Sequence, residues 1–362
     1  MELAAERKMK INLIYNKIPH HASHSGYDQL ARYLVDKVAT NNLESDVPKW
    51  IPWPVWSWMA DRFGPWISAR SRMDWYDIWG LSLEIGAGFQ LMKGNGSIYH
   101  LLYGENSYRH LGSLRSFARR KGSRIIASYH QPPEVFERVV RCKSILKKLD
   151  AIIAVSQNQA SYFASFVGDD KVFVVPHGVD TDYFCPIEKE ESNGRQCVFV
   201  GQWLRDFEML RAVVANVGAR DAQVKFKIIT SEDKASVFNG ARNIEVLNSI
   251  SDAQLLEAYQ TADILVLPLT DCTANNSLLE GLACGLPVVT TDVGGVRDYV
   301  DSSCARIVRS GDVNSMSEAI LTLASDGSMR SEMGKQSRRQ ALTCDWALVS
   351  GKLLSVYEKV AA

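Results

Sequence analysis

Ala262-Asp-Ile-Leu-Val-Leu-Pro-Leu-Thr-Asp-Cys-Thr-Ala-Asn-Asn-Ser-Leu-Leu-Glu-Gly-Leu-Ala-Cys-Gly-Leu-Pro-Val-Val-Thr290 reads as a strand, a polar turn, a two-turn helix and a second strand. Ile264–Leu267 is apolar without alternation, the pattern of a parallel strand covered on both faces. Ser277 and Glu280 have capping-box spacing, which predicts a helix starting at Ser277. Gly285 and Pro287 then stop it, and Val288-Val289 resume as strand. A helix that begins just beyond a parallel strand offers free amide N–H groups and a positive dipole end to a phosphate. Glu280 beside it could accept from both hydroxyls of a diol, and phosphate next to a diol describes a nucleotide sugar. It could equally be a capping carboxylate; the stretch alone favours neither.

Working outward, strand-like and helix-like segments alternate over most of the 362 residues, which predicts an α/β protein with two parallel sheets. In the first half the predicted strands are Ile11–Tyr15, Ser97–Tyr103, Ser123–Tyr129, Ala151–Val155 and Val172–Pro176, with a helix over Tyr27–Val38. A polar segment at 185–195 reads as a linker. Beyond it, Cys197–Val200, Val224–Thr230, Ile244–Leu247 and Ile264–Leu267 are predicted strands. Helices are expected from Asp206, over Asp252–Thr261, Ser315–Leu323 and Met329–Leu342, and from Asp345 to Val360. The expected domains are 1–180 together with 345–362, and 196–344, joined by 181–195.

Candidate site residues fall at strand ends, where open α/β sheets bind ligands. His130 follows the strand ending at Tyr129. Gly26 precedes a helix and would let amides approach a diphosphate. Arg205 stands at a strand-to-helix turn, where guanidinium and dipole could meet one phosphate. Gly294-Gly295 reads either as a second amide-presenting turn or as a plain one. His20, His21 and His24 lack acidic or cysteine partners at metal-ligand spacing, and Asp180-Thr-Asp182 sits in a linker turn, so no metal site is expected.

Seven of the nine tryptophans lie between residues 40 and 97, among prolines and arginines. Trp53, Trp56, Trp58 and Trp66 are read as an acceptor-stacking or membrane-facing surface, with a local aromatic core as the alternative. Lysine plus arginine equal aspartate plus glutamate at 41 each, which excludes a global field for nucleic acid. Locally, Arg109–Lys148 holds 11 basic residues and two acidic ones, Glu134 and Glu137, which fits an anionic partner or merely solvated helix faces. The seven cysteines are unpaired in pattern, as in a reducing compartment. The polar start, Met1–Lys10, lacks the apolar core of a signal peptide, and no run is long enough to span a bilayer. A soluble cytoplasmic protein, or one peripheral on the inner membrane face, is expected.

With these residues assembled, the chain resembles a family 4 retaining glycosyltransferase of the GT-B fold, most strongly over residues 150–350. His177-Gly-Val-Asp180 resembles the family's Pro-Asn-Gly-Val-Asp turn, and Phe199-Val-Gly201 its strand into the donor domain. Tyr259-Gln-Thr-Ala-Asp263 through Pro268, and Glu280-Gly-Leu-Ala-Cys-Gly-Leu-Pro-Val-Val289, match its two most specific runs. Gly26, His130, Gly294-Gly295 and Asp345-Trp346 fit as well. The resemblance implies two Rossmann-like domains facing across a cleft, with a C-terminal helix returning to the first. It implies that Glu280 holds a nucleotide ribose and that Arg205 holds the diphosphate, with Gly201 and Ser277 beside it. Gly26 would contact phosphate and His130 the transferred sugar.

Two positions depart from the pattern. Cys272 stands where the family usually has a glutamate that orients the donor sugar, leaving Asp271, Cys272, Asn275 and Asn276 as candidate sugar contacts. Gln202 and Phe207 stand where the family has arginine and lysine. The implied reaction is transfer of a sugar from a nucleotide-diphosphate sugar, UDP before GDP, to a sugar, lipid-linked or natural-product hydroxyl. It is the hexosyltransferase reaction with retention on one face, without metal or other cofactor, the leaving diphosphate taking the acceptor proton. The alternatives are a nucleotide-sugar epimerase on the same fold and a non-catalytic relative that binds.

Overall fold

The computed structural model describes residues 9–16, 24–35, 37–44, 52–188, 195–238, 240 and 243–362. The readings made on Met1–Lys8, His20, His21, Trp50 and linker residues 189–194 lie outside them. The chain divides into two compact units. One is Met1–His20, Tyr27–Pro176 and Val349–Ala362; the other is His21–Gly26 and His177–Leu348. In this division the chain passes to the second unit after Pro176 and returns at Val349.

The first unit runs β1 (Lys10–Tyr15), α1 (Leu30–Leu34), β2 (Ala39–Glu44), α2 (Trp53–Ser71), α3 (Ile78–Lys93), β3 (Ser97–Leu101), α4 (Gly104–Ser107), α5 (Arg115–Arg120), β4 (Arg124–Tyr129), α6 (Pro133–Val139), β5 (Ala151–Ala154), α7 (Gln157–Val167) and β6 (Val172–Val174). Its six strands are all parallel, in the order β2-β1-β3-β4-β5-β6. The edge strand β2, Ala-Thr-Asn-Asn-Leu-Glu, is largely exposed. Its polar sequence carries no strand pattern, so it was not expected. The helix expected over Tyr27–Val38 is one 3-10 turn, Tyr27–Gln29, followed by the short α1. Within residues 40–97, where the alternation breaks in sequence, lie the long helices α2 and α3. Asp77 caps α3, accepting from Trp79 and Gly80 N–H.

The second unit runs β7 (Gln196–Val200), α8 (Phe207–Arg220), β8 (Lys225–Ile229), α9 (Glu232–Ala235), β9 (Ile244–Leu247), α10 (Asp252–Thr261), β10 (Ile264–Leu267), α11 (Asn276–Ala283), β11 (Val288–Thr291), β12 (Ala305–Val308), α12 (Val313–Ser325), α13 (Gly327–Leu342) and the start of α14 (Trp346–Ala361). The strand order is β12-β11-β10-β7-β8-β9, again all parallel. β10 lies between β7 and β11 and is buried at all four residues, the physical reason for its unbroken apolar run. Asp206, Asp312 and Asp326 cap α8, α12 and α13, and Ser251 with Gln254 forms a capping box on α10.

Each unit is ordered by contacts at long sequence separation. In the second, the turn at 177–184 is tied to α13 by Arg338, which donates to the carbonyls of Thr181, Phe184 and Ala283 at 2.9–3.0 Å. A Cβ on Gly178 would lie 2.3 Å from the Trp346 indole, so only glycine fits there. In the first, His100 on β3 is fully buried between Tyr357 Oη (2.6 Å) on α14 and Ser128 Oγ (2.8 Å) on β4. Burial lowers its pKa to about 3, so it is a neutral clasp between α14 and the sheet.

Candidate functional site

In the second sheet the strand order reverses between β7 and β10, and the loops leaving their carboxyl ends diverge there. Such a switch point is where open α/β sheets form a crevice. The two loops are stitched by Asp206 N donating to Pro268 O and Thr270 N to Leu204 O, both at 3.0 Å. Arg205 is thereby fixed opposite Leu269.

From that position Arg205 Nη2 donates to Asn275 Oδ1 (3.2 Å) and Ser277 Oγ (3.1 Å), at the start of α11. Nε and Nη1 donate to the carbonyls of Val200 and Trp203. Gly201 has φ +104°, and a Cβ there would lie 2.6 Å from Arg205 Nη2, so the glycine makes room for the guanidinium. Desolvation lowers the Arg205 pKa from its ordinary value, yet an arginine stays charged. A guanidinium at a helix N-terminus puts positive charge beside positive charge. An arriving anion relieves that repulsion and meets both.

The start of α11 differs from its sequence reading. The cap is Asn275, whose Oδ1 accepts from Leu278 N at 3.1 Å; Ser277 is already helical, and no Ser277–Glu280 capping box forms. Glu280 is therefore not a capping carboxylate. It lies a turn inside the helix, 4% exposed, with Ser25 Oγ donating to Oε1 at 2.5 Å and Tyr259 Oη to Oε2 at 2.8 Å. Neither hydroxyl was picked out from sequence. Tyr259 counts as an apolar helix position by periodicity, and Ser25 is remote in the chain. Next to Ser25, His24 Nδ1 donates to Asp180 Oδ2 at 2.8 Å and its ring stacks on Tyr183 at 3.6 Å. Asp180 also caps Tyr183 N, so Asp180-Thr-Asp182 serves the turn. Gly26, at φ +97°, closes this short segment.

The Asp271–Asn276 turn is packed from behind. Asp271 Oδ1 accepts from Cys272 N at 2.7 Å, and Cys272 O accepts from Gly295 N at 2.7 Å. A Cβ on Gly294 (φ +51°) would lie 2.0 Å from Cys272 O. The amide of Gly295 is thus used to hold the turn, which settles the plain-turn reading for that group. The Cys272 side chain is 3% exposed and burial pushes its thiol up to about 12, so it contributes shape rather than a reactive sulfur. Gln202 is exposed, and Phe207 packs edge-on against Phe199. The cation at this crevice comes from Arg205.

In the first unit, the order reverses between β1 and β3, and His130 stands one strand over, beyond β4. Its Nε2 donates to Leu102 O at 2.7 Å. Tyr27 and Tyr103 pack against the ring, with centroids at 4.6 and 5.0 Å. Glu105, just past β3, accepts from the N–H groups of His130 (2.5 Å) and Gln131 (2.9 Å). Burial raises its carboxyl to about 7. Glu105 was missed in sequence; its signal is its place directly beyond a central strand, after Gly104, where a Cβ would lie 2.5 Å from the Tyr129 ring.

Of the four tryptophans expected on one outer surface, Trp53, Trp58 and Trp66 are 60–66% exposed on α2. Trp56 is 3% exposed and packs edge-on against Trp79, so it belongs to the core. A helix places residues 56 and 58 on different faces. Among the described residues no group of three His, Cys, Asp or Glu side chains could hold a metal, and no helix is long and apolar enough to cross a membrane.

Two family models match the chain: "Glycosyltransferase Family 4" over residues 90–183 and "Glycosyl transferases group 1" over residues 194–326, together well over half of it. The chain belongs to the family 4 type of glycosyltransferases. A D-inositol 3-phosphate glycosyltransferase of Stackebrandtia nassauensis is 26% identical over 68% of this chain and 62% of its own length. A phosphatidyl-myo-inositol mannosyltransferase of Mycolicibacterium smegmatis is 25% identical over 65% of each. The matches thus span just under two thirds of these curated relatives. The HepE structure from Anabaena, solved with UDP, covers 97% of this chain and 100% of its own at TM-score 0.65 and 11% identity, which shows the GT-B fold. In this chain the Arg205–α11–Glu280 group stands at the β7/β10 switch point.

Proposed function

We propose that the chain is a retaining glycosyltransferase that takes a sugar from a nucleotide-diphosphate sugar. The observation that carries the reading is Arg205, hydrogen-bonded to Asn275 and Ser277 at the head of α11 with Glu280 buried one turn further on. In this reading the diphosphate lies against Arg205, the first α11 amides and Gly201, and the ribose diol lies on Glu280. Asp271, Asn275 and Asn276 stand nearest the sugar, with Cys272 as the floor of their turn. His130, its Nε2 tied to Leu102 O, is assigned to the transferred sugar, and Gly26 offers its amide to phosphate.

The chemistry follows from the charges. As the anomeric bond breaks, negative charge grows on the diphosphate, where Arg205 and the helix amides are already oriented. That arrangement provides the positive end with protein groups alone, so no metal is assigned. The departing phosphate oxygen takes the acceptor hydroxyl's proton, and the new bond forms on the face the diphosphate leaves. UDP-sugars are proposed before GDP-sugars, in keeping with the HepE structure solved with UDP. The relatives named for inositol phosphates favour a polyol or lipid-linked acceptor bearing phosphate, for which the 109–148 basic residues provide charge. Exposed Trp53, Trp58 and Trp66, with Arg62 and Arg70 on the same helix, suit peripheral contact with an anionic membrane.

A panel of UDP- and GDP-sugars, read by thermal shift and by release of nucleoside diphosphate with EDTA present, tests this. The reading expects stabilisation and slow hydrolysis with one donor. No response to any donor defeats it. Interconversion of the sugar without an acceptor would instead establish the epimerase alternative.

A further inference from the structure

Glu280 is gripped on both oxygens by hydroxyls from distant parts of the chain, Ser25 on Oε1 at 2.5 Å and Tyr259 on Oε2 at 2.8 Å. Both donors are buried, at 9% and 0% exposure. One hydroxyl per oxygen fixes the rotation of the carboxylate about its last bond, which a single donor does not. Tyr259 comes from α10 and is rigidly packed. Ser25 is preceded by His24, which is anchored by the His24–Asp180 pair and the His24–Tyr183 stack. The grip on Glu280 therefore runs through Ser25 back to the His24 anchor.

We propose that Ser25 and Tyr259 are positioning residues that preset the Glu280 carboxylate for a cis-diol, with His24 and Asp180 holding Ser25 in place. This rests on the donor-site reading above and names the ligand feature it selects: a ribose bearing both hydroxyls. A carboxylate oriented before the ligand arrives pays no ordering cost on binding, so its loss shows as weaker binding and poorer discrimination rather than as unfolding. Removing one ribose hydroxyl deprives the preset carboxylate of a charge-assisted hydrogen bond.

The test is calorimetric titration of UDP, GDP and their 2′-deoxyribose analogues into wild type, Ser25→Ala, Tyr259→Phe and His24→Phe, with melting temperatures measured alongside. Wild type is expected to prefer the ribonucleotide by roughly tenfold or more. Ser25→Ala and Tyr259→Phe should each lower ribonucleotide affinity about tenfold and shrink that preference, with the deoxy analogue little changed. His24→Phe keeps a ring against Tyr183 but loses Asp180, and should reproduce the Ser25→Ala loss in part. Tyr259→Phe preserves shape, so it remains informative if Ser25→Ala folds poorly. No binding of either ribonucleotide by wild type overturns the donor-site reading and this inference with it. Binding by wild type with an unchanged ribose preference in both hydroxyl variants overturns the positioning role alone, as does a fall in melting temperature with unchanged affinity.

Discussion

The two sheets reach their carboxyl ends with opposite chemistry. Beyond β7 and β10 stand a cation, an amide cap and a buried carboxylate, with Arg205, Asn275 and Ser277 bonded together and Glu280 on the same helix. Beyond β3 and β4 stands an imidazole packed against two tyrosine rings, with a carboxyl behind it that burial raises to about 7. The first is the proposed place for an anion and a diol, and the second the proposed place for a polar, uncharged group. In the proposed reaction the first end takes the nucleotide diphosphate, and the second end is assigned to a sugar hydroxyl.

The division predicts unequal consequences. Arg205→Ala removes the cation where charge develops and should lower turnover about 10²–10³-fold, measured as initial rate at saturating acceptor, while also weakening UDP binding. Gly201→Ala should follow it at reduced size, because the added methyl lands 2.6 Å from Arg205 Nη2 and the backbone is at φ +104°. His130→Ala breaks the other end. Turnover should fall roughly tenfold to a hundredfold, with the UDP dissociation constant unchanged within about twofold. A His130→Ala loss confined to nucleotide affinity would contradict the division.

Why one end was readable and the other less so follows from how each is assembled. Asn275, Ser277 and Glu280 lie in six residues of strand-turn-helix, and the glycine and proline that stop α11 mark it sharply. Even so, the cap was misplaced: Ser277 and Glu280 have capping-box spacing, but Asn275 competes two residues earlier and wins. The end beyond β3 and β4 draws on Tyr27, Leu102, Tyr103, Glu105 and His130, spread over a hundred residues. Only His130 announced itself, by following a strand. Buried polar partners such as Ser25 and Tyr259 are invisible to periodicity, since a tyrosine on an apolar helix face reads as packing until its hydroxyl is seen on Glu280. The edge strand β2 escaped because exposed strands need not be apolar.

Smaller effects sharpen the contrast through stability. Glu105 is raised to about 7 from 4.5 by burial, so the folded state keeps a proton that the unfolded chain releases. Its contribution is full below pH 4.5 and is lost as pH rises through 7, on the order of 3 kcal/mol. Glu105→Gln removes that dependence, so the stability difference between variant and wild type should grow from pH 4.5 to 7 in urea titrations. His100 acts in the other direction. Its pKa is lowered to about 3 from 6.5, so its contribution is present above pH 6.5 and lost as pH falls toward 3. Along α2 the exposed and buried tryptophans separate in the same way. Trp56→Ala should cost about 3–5 kcal/mol, whereas Trp58→Ala and Trp66→Ala should each stay within about 0.5 kcal/mol. The latter pair should instead lower co-sedimentation with anionic liposomes.

The most direct measurement is titration of UDP into wild type and Glu280→Gln, with both melting temperatures recorded. The account predicts saturable one-to-one binding to wild type, weakened at least tenfold in Glu280→Gln while the variant stays folded. Equal affinity in the two proteins would contradict it, because Glu280 would then be a buried structural carboxylate and the β7/β10 switch point would not hold the ribose.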